Sequence, residues 1–457
     1  MRHSLLAFAF LLLCLSCKHE PDPISDPDPG PPPIVTNSTN VAVKWGLLTL
    51  QTMYRLGGNS PTYGSRSLGY AGLTMYECVV NGSPTHRSLA GQLVGLTNLP
   101  VPEAGKTYQY ELALNAGQAV ILKRMFDFGY NDAVRMNRID SLERAINQQF
   151  AATVDPAVMD RSVAYGKAVA EAIFAWSKTD GGFEGFKRNF DNTYVFPRGS
   201  GFWVPPASGQ AQVFTTAPLH PHWGQNRTFA LANSTLSVPS MTPYSTSRSS
   251  DYYKEFAAVY QKNGSLSQEE RNIAGWWADD PTETFSPPGH SYSLAGIVAV
   301  TANADLYQTA ETYARVGMAV ADAFINCWKA KYTYHCERPG TYIRANIDAN
   351  WNSFWPEPPF PAFYSGHSVQ SGATAMVLEA LYGPSFRFTD TSHWGRPSDQ
   401  ARRVSYVSRS FTSFWSTAEE AAQSRFWGGI HTNQDNVVGL AEGKKIGTNI
   451  NALTWRK

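Results

Sequence analysis

Apolar residues recur at three- and four-residue intervals along most of the chain from residue 40 onward. This is the period of helices that turn one face into a core. Residues 41–55 place Val43, Leu47, Leu48, Leu50 and Met53 around one predicted helix, and residues 66–80 continue with Leu68, Ala71, Leu73, Met75, Tyr76 and Val79. Residues 108–128 are rich in alanine and leucine, with Gly129 as a stop signal; residues 136–152 and 157–176 share that character. The period is then lost from 183 to 248, where Gly, Pro, Ser, Thr and aromatics dominate. Phe202-Trp203-Val204-Pro205-Pro206 and Pro221-His222-Trp223-Gly224 predict an ordered loop packed on helices by its aromatics. Helical spacing returns at 251–262, and Ser267 with Glu270 forms a capping-box pattern for a helix through Trp276 and Trp277. Pro287-Pro288-Gly289 predicts a break. Helices are then expected at 292–301, 305–330 and 368–381, the last ending at Gly383. Thr417 and Glu420 read as a second capping box, opening a helix over 418–425, and residues 432–446 close the chain. Alternating strand patterns are scarce and no fixed-period repeat occurs. The expectation is an all-α fold, one large helical-bundle domain over residues 40–457.

The first 39 residues break this pattern. Met1-Arg2-His3 gives a positive start, and residues 5–15 are an apolar run too short for a comfortable transmembrane helix. Leu15-Ser16-Cys17 resembles a bacterial lipobox, which makes residues 1–17 a lipoprotein signal and Cys17 the candidate lipidated residue. Residues 18–39 form a Pro/Asp-rich linker, stiff and solvated, that buries no apolar surface. The expectation is an exported protein, tethered to a bacterial outer membrane only through this anchor and facing the periplasm or the cell surface.

At 457 residues the chain is long enough for a large core. Its net charge of +1 gives no basic field for nucleic acid, although a locally basic pocket remains open. Cys78, Cys327 and Cys336 form no disulfide framework. Cys327 and Cys336 could pair, or could be two buried thiols. His220 and His222 lack a third ligand for a metal site.

Candidate chemistry gathers between residues 331 and 435. Lys331 is followed, after six residues, by Arg338-Pro339; Ser365-Gly366-His367 comes next; Ser424-Arg425 precedes His431 and Asp435. Arginines give planar bidentate donors to a tetrahedral oxyanion, and lysine adds a point charge. Ser-Gly ahead of a helix offers a hydroxyl and N–H groups where anions are favoured. Asp435 lies four residues after His431, so one helix face would let the carboxylate orient the imidazole.

This ordered set resembles the signature shared by type 2 phosphatidic acid phosphatases, bacterial class A acid phosphatases and vanadium-dependent haloperoxidases. Trp276-Trp277-Ala-Asp279, Pro287-Pro-Gly-His290 and Gly201-Phe-Trp203 resemble soluble bacterial haloperoxidases, so the likeness covers about residues 40–455. It departs where many members carry proline before Ser-Gly-His and this chain has Tyr364. The resemblance implies an all-α bundle that binds vanadate, with phosphate able to occupy the same site. Lys331, Arg338, Ser365, Gly366 and Arg425 would hold the oxyanion. His431 would bond vanadium, or attack phosphorus, and His367 would be the acid/base group. Trp328 would lie beside the oxyanion as in haloperoxidases, or serve only as core packing. Phe360, where algal bromoperoxidases have His, resembles the fungal and iodide-oxidising types. Asp279 and Asp280 are candidates to pair with an arginine, or surface acids.

Two activities follow from the resemblance: hydrogen-peroxide-dependent oxidation of halide, with iodide or bromide favoured and a small organic acceptor; or phosphomonoester hydrolysis through a phosphohistidine. Length, aromatic content and the lack of multiple transmembrane helices favour the first. A surface lipoprotein that binds an oxyanion without turnover is the third possibility.

Overall fold

The computed structural model describes residues 38–129, 132–206, 217–281 and 283–457. The expected signal, Cys17 and almost all of the expected linker lie outside them. Among the described residues, fourteen α-helices carry the fold. They are α1 (Val41–Met53), α2 (Pro61–Val79), α3 (Tyr110–Phe126), α4 (Ala133–Ala151), α5 (Pro156–Ser177), α6 (Leu231–Ser234) and α7 (Asp251–Asn263) in the first part. α8 (Gln268–Trp276), α9 (Ser286–Thr301), α10 (Leu306–Tyr334), α11 (Pro339–Asn346), α12 (Gly366–Tyr382), α13 (Phe414–Trp427) and α14 (Asn433–Asn451) follow. A small antiparallel pair, β1 (Phe388–Asp390) and β2 (Arg409–Phe411), sits between α12 and α13 with Phe388 opposite Phe411.

α10 is the axis of the bundle. Its 29 residues span about 43 Å, and every residue from Thr309 to Trp328 is buried. A helix covered on all sides lies in the middle of a core. α2, buried along its whole length, packs beside it. Their backbones touch: a Cβ at Gly72 would stand 2.4 Å from the Tyr313 carbonyl oxygen, and one at Gly317 would stand 2.5 Å from that of Leu68. α12 and α14 meet in the same way. Gly439, Gly443 and Gly447 recur every four residues on one face of α14, and a Cβ at Gly443 would lie 2.3 Å from the Val369 carbonyl oxygen. These two tight pairs carry the functional ends described below.

Where described, the stretch 183–248 is mostly ordered loop, as its aromatics predicted, interrupted by the unanticipated four-residue α6. Leu219 is its anchor: its N–H donates to Pro359 O at 3.0 Å, and its carbonyl accepts from Trp328 Nε1 at 3.1 Å and Tyr332 Oη at 2.6 Å.

Several expectations need correction. Pro287 and Pro288 open α9 rather than break a helix, because the first turn requires no N–H donor there. α13 begins at Phe414 with Ser413 as its cap, so Thr417 is interior. Glu420 instead accepts from Trp277 Nε1 at 2.9 Å and Arg409 Nη2 at 2.7 Å. α11 and the β pair were not anticipated. Cys327 and Cys336 are free, buried thiols. His220 uses both ring nitrogens, on Thr62 Oγ1 and the Gly185 carbonyl, while His222 points outward toward Asp191; they form no metal pair. Among the described residues no helix is long and apolar enough to cross a membrane.

Candidate active site

Five helix ends converge on one place. Lys331 lies in the last turn of α10; Arg338 is the residue just before α11; Ser365 caps α12, with Gly366 and His367 in its first turn; Arg425 is in the last turn of α13; and His431 immediately precedes the Thr432 cap of α14. Three of these ends are helix N-termini, where orphan N–H groups and the helix dipole favour an anion.

His431 is held in one tautomer. Its Nδ1–H donates to Asp435 Oδ2 at 2.8 Å, which leaves the Nε2 lone pair free to accept; Arg338 Nη1 lies 3.2 Å from it. Burial, reinforced by Arg338, Lys331 and Arg425, keeps its pKa well below the usual histidine value, so the ring is neutral. The contact does not arise from a shared helix face, as spacing suggested. His431 is outside α14, and Asp435 reaches back as the third residue of a capping box, accepting also from the Thr432 N–H at 3.3 Å. Burial pushes the Asp435 carboxyl up, with Lys331 working against it.

The cations are buried and closely tied down. Lys331 Nζ donates to the carbonyls of Pro361, Ala362 and Tyr364 at 2.9, 2.6 and 2.8 Å. It thereby clamps the strand of loop leading into Ser365, across the cis Phe363–Tyr364 bond, and brings its charge to the site. Arg338 donates to Phe360 O and Ile430 O, and burial lowers its pKa to about 10. Arg425 donates to Ala274 O and Ser424 Oγ, but its Nη1 is buried without a hydrogen-bond partner. An unpaired buried guanidinium nitrogen is costly, by about 1–3 kcal/mol or more. A Cβ built at Gly366 would meet nothing within 4 Å, so the backbone there borders open space.

That space is a cavity of about 980 Å³ including its mouth. Gly366, His367, Arg425 and His431 line its polar part, and Trp328, Phe324, Phe360 and Leu219 line its apolar part. The Trp328 and Phe360 rings stand 4.9 Å apart. Ser365, fully buried, accepts from the Ser368 N–H as helix cap.

His367 lines the cavity, and its Nε2 is buried 3.7 Å from Asp279 Oδ2 without a hydrogen bond. Burial and then the Arg425 charge push its pKa down to about 4. Asp279 and Asp280 are buried, against the surface reading, and the charges of both act on Arg425. Asp280 accepts from Trp355 Nε1 at 3.0 Å. Asp279 accepts from His290 Nδ1 at 3.0 Å and from His393 Nε2 at 2.6 Å. His290 reaches through its other nitrogen to Asp390 Oδ2 at 2.8 Å, and Trp276 Nε1 meets the same oxygen at 2.8 Å. Burial opposes charge on His290, but its two carboxylates win and hold its pKa at about 10. This buttress behind His367 was missed from the sequence. Trp276 and His290 were noted there only as points of resemblance, and Asp279 also as a candidate partner of an arginine.

The family model described as the VCPO second helical-bundle domain matches residues 311–456. The crystal structure of the first bacterial vanadium-dependent iodoperoxidase superposes with a TM-score of 0.79 and 31% identity, covering 92% of this chain and 98% of that one. The chain belongs to the vanadium haloperoxidase family. Holo and apo forms of a bacterial vanadium-dependent chloroperoxidase share the fold of this haloperoxidase-family protein, with TM-scores of 0.66 and 0.65 at 17% and 15% identity; each comparison covers 87% of this chain, and 93% and 94% of theirs. No curated protein matches it in sequence. The family implies vanadate, and the donor set of this haloperoxidase-family site fits it: one neutral imidazole lone pair, an unpartnered Arg425 Nη1, and open space over the Gly366 backbone at a helix N-terminus.

Proposed function

We propose that the chain is a vanadate-dependent haloperoxidase that oxidises iodide, and less readily bromide, with hydrogen peroxide. The observation that carries this is one cavity lined by His431, by Gly366 and by Arg425, whose buried Nη1 has no partner, together with an aromatic wall. The preference for iodide rests on the 31% identity to a bacterial iodoperoxidase and on Phe360 in the cavity.

Bound there, vanadate supplies a Lewis acid that makes hydrogen peroxide reactive toward halide. His431 would hold it through Nε2, and Asp435 keeps the proton on Nδ1 so that Nε2 stays available. Arg338, Arg425 and Lys331 balance the anion's charge, with the Gly366 N–H and Ser365 at the helix end. His367, neutral at neutral pH, takes up a proton at Nδ1 and gives it back. The aromatic wall of Trp328 and Phe360 keeps bulk water from one side of the site.

The test is one purified sample split in two. One half, loaded with orthovanadate, is assayed for peroxide-dependent iodide and bromide oxidation; the other, vanadate-free, is assayed for phosphomonoester hydrolysis. Halide oxidation in the first half alone is expected. Hydrolysis without halide oxidation would make the protein a phosphatase using His431 as nucleophile, and turnover in neither half would leave an oxyanion-binding protein.

A further inference from the structure

Four buried ionisable side chains lie behind His367 and do not line the cavity: Asp279 in the turn after α8, His290 in α9, Asp390 at the end of β1 and His393 just beyond it. His290 stands between two carboxylates, with Nδ1 3.0 Å from both Asp279 oxygens and Nε2 2.8 Å from Asp390 Oδ2. Burial works against charge on both carboxyls, but His290 outweighs it and keeps them below the usual carboxylate range. An ionised carboxylate accepts and cannot donate, so both His290 nitrogens carry hydrogen and the ring is an imidazolium. Asp390 is itself tied down, accepting from Trp276 Nε1 at 2.8 Å and from the Ser392 N–H at 2.9 Å. Ser392 Oγ in turn meets Ser293 Oγ of α9 at 2.8 Å. The Trp277 ring stacks on His290 at 4.3 Å and Phe285 stacks on His393 at 5.2 Å, which fixes both imidazole planes. A cation on the face of Trp277 adds attraction.

Asp279 is where this chain of contacts meets His367. Its Oδ1 accepts also from His393 Nε2 at 2.6 Å, and its Oδ2 lies 3.7 Å from His367 Nε2. That nitrogen is buried and has no hydrogen-bond partner among the described residues. A neutral imidazole has one N–H and one lone pair. A lone pair on Nε2 is repelled by the carboxylate, and an N–H there is attracted to it. The charge count agrees. Asp279 and Asp390 carry two negative charges and His290 one positive, so the cluster keeps one negative charge to receive a protonated His367. Arg425, the other cation acting on His367, opposes that proton. Without the His290 charge, two buried carboxylates would stand close together and one would take up a proton.

We propose that His290 and Asp390 are positioning residues for His367: the imidazolium held between two carboxylates keeps Asp279 ionised beside Nε2, and so fixes the proton of neutral His367 on Nε2 and its lone pair on Nδ1. The proposal rests on the haloperoxidase reading, which uses Nδ1 of His367 as the base. It also gives the β1–β2 segment a part in the active site, because that segment brings in Asp390 and His393.

Nitrogen-15 NMR of the vanadate-free full chain, labelled only in histidine, tests this without turnover. The chain has ten histidines, and His290→Gln and His367→Gln identify the two sets of signals that matter. At neutral pH wild-type His290 should carry hydrogen on both nitrogens, and His367 should be neutral with hydrogen on Nε2 alone. His290→Gln keeps a side-chain donor but loses the charge, so Asp279 takes up a proton or turns away. His367 should then show a mixture of both tautomers. Loaded with vanadate, this variant should lose about tenfold in kcat for iodide oxidation, part of the roughly 100- to 10,000-fold that a positioned acid–base group supplies. A neutral His290 in wild type, a wild-type His367 with its proton on Nδ1, or an unaltered His367 tautomer in folded His290→Gln overturns the proposal. The wild-type spectra decide the matter even if the variant does not fold. Iodide oxidation by the vanadate-loaded wild type, run on the same preparation, separates the outcomes. Oxidation with the His367 proton on Nδ1 removes the positioning role and leaves the enzyme, and the expected spectra without oxidation do the reverse.

Discussion

His431 is neutral, tautomer-fixed and surrounded by cations, and each of those properties has a named cause. Asp435 is the one that sets which nitrogen carries the proton. Asp435→Asn leaves the shape but can present its amide N–H to Nδ1, so the proton moves to Nε2. Vanadate affinity is expected to fall about 10–100-fold, as measured by equilibrium dialysis; undiminished affinity would contradict the role given to Asp435. His290 makes a different kind of prediction. Its two carboxylates hold its folded-state pKa at about 10, against 6.5 for an ordinary histidine. Its contribution to stability is therefore complete below about pH 6.5 and is lost as pH rises to about 10. Urea denaturation of wild type and His290→Gln across that range should show a stability difference that shrinks with rising pH, and a constant difference would show that the charge is absent. The residues that do chemistry on an anion were legible because their types and spacing are unusual. His290, His393 and Asp390 were not, because Asp279 and His393 are 114 positions apart and no local pattern marks their meeting.

Between elements, the decisive contacts are backbone to backbone. α12 and α14 close on Gly439, Gly443 and Gly447, and α12 carries Ser365, Gly366 and His367 while α14 carries Asp435. Placing the two helix N-termini side by side thus depends on the absence of side chains several turns away. Gly443→Ala would put a methyl group 2.3 Å from the Val369 carbonyl. It is expected to lower stability by about 1–3 kcal/mol and to reduce vanadate affinity as α12 shifts. An unchanged urea midpoint together with unchanged affinity would contradict this. Helix existence was legible from the apolar period, with ends close to those predicted for α1, α3, α5 and α7. The starts of α9 and α13 were not. Pro287 and Pro288 occupy a first turn that tolerates them, and the true α13 cap, Ser413, competes with a Thr417 that fits the capping rule equally well by sequence. α11 is only eight residues long and follows the arginine of the motif, too short for a period to show.

For the whole molecule, a chain of net charge +1 concentrates Lys331, Arg338 and Arg425 in its interior. The carboxylates that act on these three buried cations are Asp435, Glu357, Asp279 and Asp280, and the proposed oxyanion would add its charge to that set. The all-α class followed from periodicity, but the arrangement of helices in space did not. It is set by close approaches such as Gly72 on Tyr313 and Gly317 on Leu68, which no single-sequence pattern reveals. The account stands or falls on what the anion does once bound. The most direct measurement is the rate of peroxide-dependent iodide oxidation as orthovanadate is titrated into vanadate-free protein, with bound vanadium determined on the same samples. The rate should rise in proportion to bound vanadium, level off at one vanadium per chain, and fall when phosphate competes for the site. A protein that reaches one vanadium per chain and oxidises no iodide would contradict the account.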